Sequence, residues 1–409
     1  MAEQHPGRPG VAPLHRRAFL RLLGLSGGAL LAACQAPGGA SQPGSALGSG
    51  ASGAAPAASS DALVGRPGWE AEWDALVEAA KREGYLVVSG PPTQEVRKEM
   101  PAAFKRRFGI DMEYLGGRTG DLMTRLQAER AADQYTVDAM VAGASTLYYQ
   151  AYPAGMLDPL PPVLIHPEVT DPSRWLRGSL WYMDPDQQYI LRLSNQASSL
   201  VTVNTQYVKA EDIRSYQDLL DPRYQGKISA HDPGVSGPGS AMAAYLLSVF
   251  GEDYVRALYQ DQQPGISRED RQISDWLARG TYPITISLLS ADVEALRADG
   301  FPLVTILRDG KKVPLNVSAG YGLVALVNRA PHPNAAKLFI NWIAMREGNE
   351  VYNRAQVSVS TRADLDNSWA PDYIIPKPGE EYVDAYGWDW MAQARSPEHM
   401  ENLKRLTGR

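Results

Sequence analysis

Between Tyr85 and Val141 short apolar runs alternate with helical stretches about every 25 residues, with no hairpin turn between them. Before them, Trp73, Leu76, Val77 and Ala80 fall at helical spacing and Gly84 closes that helix. Tyr85–Ser89 reads as a strand. A helix over Gln94–Arg107 follows, stopped at Gly109, and Pro101 inside it is expected to kink or split it. Ile110, Met112 and Tyr114 alternate as a strand, Gly120 to about Ala132 reads as a helix, and Val137–Val141 as a third strand. This is the pattern of an α/β chain with a parallel sheet and helical crossovers.

The rhythm breaks at the proline-rich stretch Pro153–Pro172, and two strands follow near Tyr189–Leu193 and Leu200–Asn204. It then resumes: strand Lys227–Ala230, helix Gly239–Phe250, helix Gln272–Arg279 closed by Gly280, and strand Tyr282–Ser287. Helix Ala291–Asp299 is closed by Gly300, strand Val304–Leu307 comes next, and Asp309-Gly310 is a turn signal. After the apolar strand Gly322–Val327, Pro331-His332-Pro333-Asn334 opens a helix with Asn334 as the expected N-cap and His332 as a structural residue. Two α/β halves joined by a pair of extended segments imply two lobes around a cleft.

The N-terminal region is of a different kind. His15-Arg16-Arg17-Ala18-Phe19-Leu20-Arg21, a mild apolar stretch and Leu31-Ala32-Ala33-Cys34 have the order of an export signal. The arginine pair resembles a twin-arginine signal, with His15 where Ser or Thr is usual, and Leu-Ala-Ala-Cys resembles a lipobox whose Cys34 would take lipid. An ordinary membrane span is disfavoured, because Arg21 and several glycines interrupt a run too short for about 30 Å of hydrocarbon. Residues 1–33 are thus read as signal and 34–63 as a tether, since Ala, Gly, Ser, Pro and Gln cannot bury enough apolar surface to offset their ordering entropy. The tether would reach about 25–30 Å root-mean-square.

Removing residues 1–33 takes four arginines and one glutamate from totals of 40 basic and 46 acidic residues and leaves a net charge of −9. Such a chain has no basic field to steer nucleic acid. Cys34 is the single cysteine, so disulfides, thiol chemistry and cysteine-built zinc sites are excluded from the mature body.

Several strings in order resemble bacterial extracellular solute-binding proteins, the capture subunits of ABC importers, in the branch that includes ferric-iron binders. They are Val203-Asn204-Thr205, Ser215-Tyr216-Gln217-Asp218-Leu219-Leu220-Asp221-Pro222, Tyr224-Gln225-Gly226-Lys227-Ile228, and Asp232-Pro233 with Ser236-Gly237. Trp276-Leu277-Ala278-Arg279-Gly280 with Tyr282-Pro283, the Asp309-Gly310 pair, the run from Ala330 to Trp342, and Arg346-Glu347-Gly348 complete the set. The resemblance implies a two-lobed type II periplasmic-binding fold, with lobe one at 64–198 plus 308–409 and lobe two at 199–307. It also implies a monomer without a cofactor that closes on a small solute by a hinge and docks on a membrane permease. The location implied is extracytoplasmic, periplasm or cell surface, with a lipid anchor.

In such sheets ligands bind beyond the carboxyl ends of strands, at helix N-termini. Applied here, the rule selects Ser89, Gly90 and Thr93, then Gly117, Arg118 and Thr119, then Ser145. In the second half it selects His231, Ser236, Gly237, Ser287 and Ser290, and Tyr321 falls near the hinge. Arg118 between glycines is either a clamp for carboxylate or phosphate or a solvated arginine on a turn. His231 either meets ligand or packs. Ferric binders that the chain resembles carry adjacent tyrosines after the strand corresponding to Tyr282–Ser287. Here Leu288-Leu289 stand there, which counts against iron and for a small anionic or polar organic solute. Tyr148-Tyr149 are expected to be core, and oligosaccharide is a weaker option because Trp73, Trp276 and Trp342 sit at helix core positions. A secreted hydrolase is the reading from another class. The one Gly-x-Ser-x-Gly match, Gly24–Gly28, lies in the signal, and no His-Glu-x-x-His exists. A purely structural or adhesive lipoprotein is a further alternative.

Overall fold

The computed structural model describes residues 68–198, 201–235, 237–306, 315–394 and 396–409. The signal, the lipobox with Cys34, the whole tether, Ser236 and the Asp309-Gly310 turn lie outside them. The chain opens with α1 (Trp69–Glu83), β1 (Tyr85–Gly90), α2 (Gln94–Phe108), β2 (Asp111–Gly116) and α3 (Thr119–Ala131). Then come β3 (Ala139–Ala142), α4 (Ala144–Thr146), β4 (Leu157–Asp158), α5 (Pro167–Thr170), β5 (Leu191–Arg192) and β6 (Gln196–Ser198). The middle of the chain carries β7 (Val201–Asn204), β8 (Ile228–His231), α6 (Pro238–Arg256), β9 (Gly265–Ser267), α7 (Asp270–Arg279), β10 (Ile284–Thr285), α8 (Ser290–Ala298) and β11 (Leu303–Ile306). The return runs through β12 (Leu315–Ser318), β13 (Leu323–Val327), α9 (Pro333–Ala344), α10 (Arg346–Gln356), β14 (Tyr382–Asp384), α11 (Trp388–Ala394) and α12 (Pro397–Thr407).

Three sheets organise these elements. The first has the order β2-β1-β3-β13-β4, with β5 also on β13. The second has the order β11-β7-β10-β8-β9, and the third is β14-β12-β6. The strand–helix rhythm led to an expectation of parallel pairing, and β1 does pair in parallel with β2 and β3. Both large sheets are nonetheless mixed. β13 lies antiparallel to β3, and β7 antiparallel to β10 and β11. These exceptions are strands next to the crossings between lobes, which re-enter a sheet from the opposite end.

The first sheet is buried on both faces, and alternation sorts its side chains. Leu86, Val88, Val141, Val324 and Leu326 face a core built with α1, α2 and α9. Val87, Met140, Ala142, Leu323, Ala325 and Val327 face a separate one with Met123 and Leu147. The second sheet has its own core, with Val201, Val203, Ile228, Ala230 and Ile284 against Tyr245 and Leu246 of α6. The return segment 308–409, expected with lobe one, ends instead on the second core: Leu403 and Leu406 of α12 are fully buried there. Their apolar spacing finds its partner on α6.

Two local expectations change. Pro101 does not split α2, which continues from Gln94 to Phe108 with Met100, Ala103 and Phe104 buried on either side of it. Asn334 is not the N-cap of α9. His332 occupies that position without a side-chain cap, and the free N–H groups are taken by a carboxylate from elsewhere. Glu83, the last residue of α1, accepts from the backbone N–H of Asn334 at 3.0 Å and of Ala335 at 2.8 Å, and from Asn334 Nδ2 at 2.6 Å. His332 itself is tied to buried Asp138, through its backbone N–H at 2.7 Å and Nδ1 at 2.9 Å.

A charged carboxylate at a helix N-terminus contributes about 1–2 kcal/mol. Glu83→Ala is therefore expected to lower the melting temperature by roughly 2–4 °C, with Glu83→Gln recovering part of the loss; calorimetry on the two variants checks it.

Candidate functional site

The chain passes from the first sheet to the second along β6 and returns along β12. These strands pair antiparallel, with Asn316 opposite Ser198 and Ser318 opposite Gln196. All four of these polar side chains border a cavity of about 320 Å³, whose other walls come from segments around the two large sheets and from the return segment. That volume lies at the lower end of small-molecule sites.

Seven of the residues selected from the sequence line this cavity: Arg118, Ser145, His231, Gly237, Ser287, Ser290 and Tyr321. Five do not. Ser89 is buried at the end of β1, and Gly90 is covered by Tyr114, whose hydroxyl would lie 2.3 Å from a Cβ there. Thr93 turns away and donates to Gln356 Oε1 at 2.9 Å. Gly117 packs on Leu122, and Thr119 is the first residue of α3. The strand-end rule overreached at β1 because Tyr114, donating to the Pro91 carbonyl at 2.9 Å, caps that strand end. The rule also missed the hinge residues, which lie on no helix N-terminus, as well as Tyr373 and Tyr386 from the return segment. Alternation of polar residues at 196 and 198 is the one sequence signal that could have exposed the hinge face.

The charges on the cavity wall are paired. Arg118, at the N-cap of α3, donates across the cleft to Glu269, the N-cap of α7, and lies 3.8 Å from Asp121. Arg268 pairs with Asp232 at 3.0 Å. Arg118 therefore links the lobes and is not a free anion clamp. His231 is fixed at both nitrogens, Nδ1 lying 2.9 Å from Ser287 Oγ and Nε2 2.8 Å from Asp270 Oδ1. The arrangement satisfying all three has Nε2–H donating to Asp270 and Nδ1 accepting from Ser287. It has the outline of a hydrolytic Ser-His-Asp set, but Ser287 Oγ also accepts the backbone N–H of His231 at 2.9 Å, which pins it between two neighbouring strands. α6 enters the cavity through Gly237, Pro238 and Gly239 with no acid in its first turn. A Cβ at Gly239 would lie 2.4 Å from the Asp232 carbonyl and 2.5 Å from that of His231, so this close packing requires glycine.

Burial pushes the Tyr321 phenol well up, and Asp270, Tyr386 and Asp292 add to the effect while Arg118 opposes it. Burial and the bond to Glu294 at 2.8 Å do the same to Tyr373. Both are thus held as phenols. The pair Tyr148-Tyr149 lies against the first lobe's core with rings in T-shaped contact at 5.0 Å, away from the cavity lining. Among the described residues no group of three His, Cys, Asp or Glu is placed to hold a metal ion.

Residues 99–374 match the family model described as bacterial extracellular solute-binding protein. The chain belongs to this family. An uncharacterised protein of Haemophilus influenzae is 23% identical over 282 residues, covering 68% of this chain and 78% of that one. Among solved structures, iron-bound HitA from Pseudomonas aeruginosa is similar at a TM-score of 0.58 and 15% identity, over 78% of this chain and 99% of that one. AfuA from Actinobacillus pleuropneumoniae with fructose-6-phosphate bound is similar at 0.57 and 19% identity, over 78% and 96%. These likenesses show the two-lobed fold of periplasmic binding proteins. Membership in this family makes the protein an extracytoplasmic solute-binding component and not an enzyme.

One titration follows from the site. Burial, then the neighbouring Asp270, raises the Asp292 carboxyl from 3.8 to about 6, with His231 opposing. The folded state then holds a proton that the unfolded state releases at lower pH, so stability falls as pH rises from about 4 to about 6. Asp292→Asn is expected to stabilise the protein above pH 6, by on the order of 2 kcal/mol, and not below pH 4. Melting curves at pH 3.5 and 7.5 check the sign.

Proposed function

We propose that this protein is the substrate-binding lipoprotein of an ABC importer and captures a small polar organic solute bearing an anionic group. The cleft is the observation that carries this reading. Hydroxyl and amide groups from both lobes and from the hinge strands meet in one cavity, so a ligand contacting all of them favours the closed arrangement. Hydroxyl-rich solutes suit Ser145, Ser198, Thr202, Ser287 and Ser318, and the N-terminus of α6 suits the anionic end. The paired arginines, Arg118 with Glu269 and Arg268 with Asp232, argue against a ligand made only of negative charge.

Ferric iron, bound by the Pseudomonas relative, fits less well. Its hard chemistry prefers phenolate ligands. Leu288 and Leu289 both line the cavity where the sequence resemblance called for tyrosines. Cys34 is the proposed lipid acceptor and residues 34–63 the proposed tether.

Native mass spectrometry of protein purified without denaturation is expected to release a small organic molecule. Ala241→Phe, which puts a ring into the cavity, is expected to abolish that release; iron as the bound mass would refute the organic reading. Cys34→Ser is expected to move the protein from the membrane to the soluble fraction without changing what it binds, as cell fractionation would show.

A further inference from the structure

Residues 375–409 follow the segment that matches the family model, and they touch every part of the machine. β14 joins the hinge sheet, pairing in parallel with β12 from Leu315↔Tyr382 to Val317↔Asp384. Asp384 also accepts from Nη1 of fully buried Arg192 on β5 at 2.7 Å, which anchors the segment to the first lobe. Tyr386 lines the ligand cavity and donates to the Gly320 carbonyl at 3.3 Å.

The two helices that follow bridge the lobes: α11 lies on the first core and also against α6, and α12 lies on the second. Met391 of α11 is fully buried in the first lobe with Met140 and Leu147, and its carbonyl accepts from the Tyr149 hydroxyl. Trp390, one residue earlier, packs against that core and against the second lobe's core as well. α12 buries Leu403 and Leu406 in the second core. Gln260 Nε2 donates to the Leu406 carbonyl at 2.8 Å and Asn402 Nδ2 to Glu252 at 3.1 Å. The last residue, Arg409, lies against the loop before α6, where a Cβ on Gly234 would come within 2.9 Å of its own Cβ.

We propose that this C-terminal segment is a clasp between the lobes, with Trp390 as its wedge, and that it limits how far the cleft opens. The physical argument is that opening separates the two cores. Trp390 contacts both, so it must leave one of them. Asp384 and Met391 tie the segment to the first lobe and Leu403 and Leu406 tie it to the second, so the covalent chain between them sets a length limit. Tyr386 places the same segment on the cavity wall, so a ligand touching it stabilises the clasped form.

The test uses the full chain with Cys34→Ser, which leaves no other cysteine. Spin labels go on Lys98→Cys of α2 and Asp253→Cys of α6, both highly exposed. Inter-lobe distances are measured without added ligand after extensive dialysis. Trp390→Ala and a protein carrying a protease site between α11 and α12, cut after folding, are compared with the intact chain. The proposal expects the long-distance population to rise roughly tenfold with circular dichroism unchanged. Should Trp390→Ala fail to fold, the nicked protein decides alone, because it folded before the cut. A nicked protein with the intact chain's distance distribution overturns the clasp, whatever solute the cavity binds.

Discussion

Everything that makes this molecule a binding device depends on two short antiparallel strands, β6 and β12, by which the chain leaves the first lobe and comes back. Backbone hydrogen bonds hold the crossings side by side, so the lobes can rotate about them and cannot drift apart. The same pairing turns Gln196, Ser198, Asn316 and Ser318 into a polar floor for the cleft. On the proposed reading hinge and ligand contact are one element, and occupancy would bias the lobes' relative position through it.

The cavity's electrostatics follow from how its charges are already used. Its two arginines are engaged by carboxylates, one of them across the cleft, and its histidine is fixed between Ser287 and Asp270. Two of its tyrosines are kept as phenols by burial and nearby acids. What remains for a solute is hydrogen bonding by neutral groups and the positive end of α6. An exposed ion pair such as Arg118–Glu269 contributes at most about 1 kcal/mol, so it can favour closure without locking the empty cleft.

The first lobe is cross-linked internally by buried charges. Buried charges sit at joints between elements and are fully hydrogen bonded. Asp138 joins β1, through the Val87 N–H at 2.7 Å, to the loop before α9. Arg362 donates to the Ala344 carbonyl at 2.7 Å and pairs with Asp364 at 2.7 Å. Such groups add little net stability, but removing one partner strands a charge in a low dielectric. They favour one arrangement of the helices over its alternatives.

Sequence alone determined the α/β rhythm, most element positions and the family, because apolar periodicity and helix-closing glycines such as Gly84, Gly109 and Gly280 act within a few residues. It also supplied seven cavity residues, since strand ends and helix starts are local features. What only the tertiary structure decided involved partners distant in the chain. Glu83, not Asn334, caps α9; Tyr114 closes the end of β1 against ligand; Glu269 occupies Arg118; and α12 packs on the second lobe. Each pairs residues roughly 20 to 250 positions apart, and no periodicity within one segment reports which surface another segment will meet.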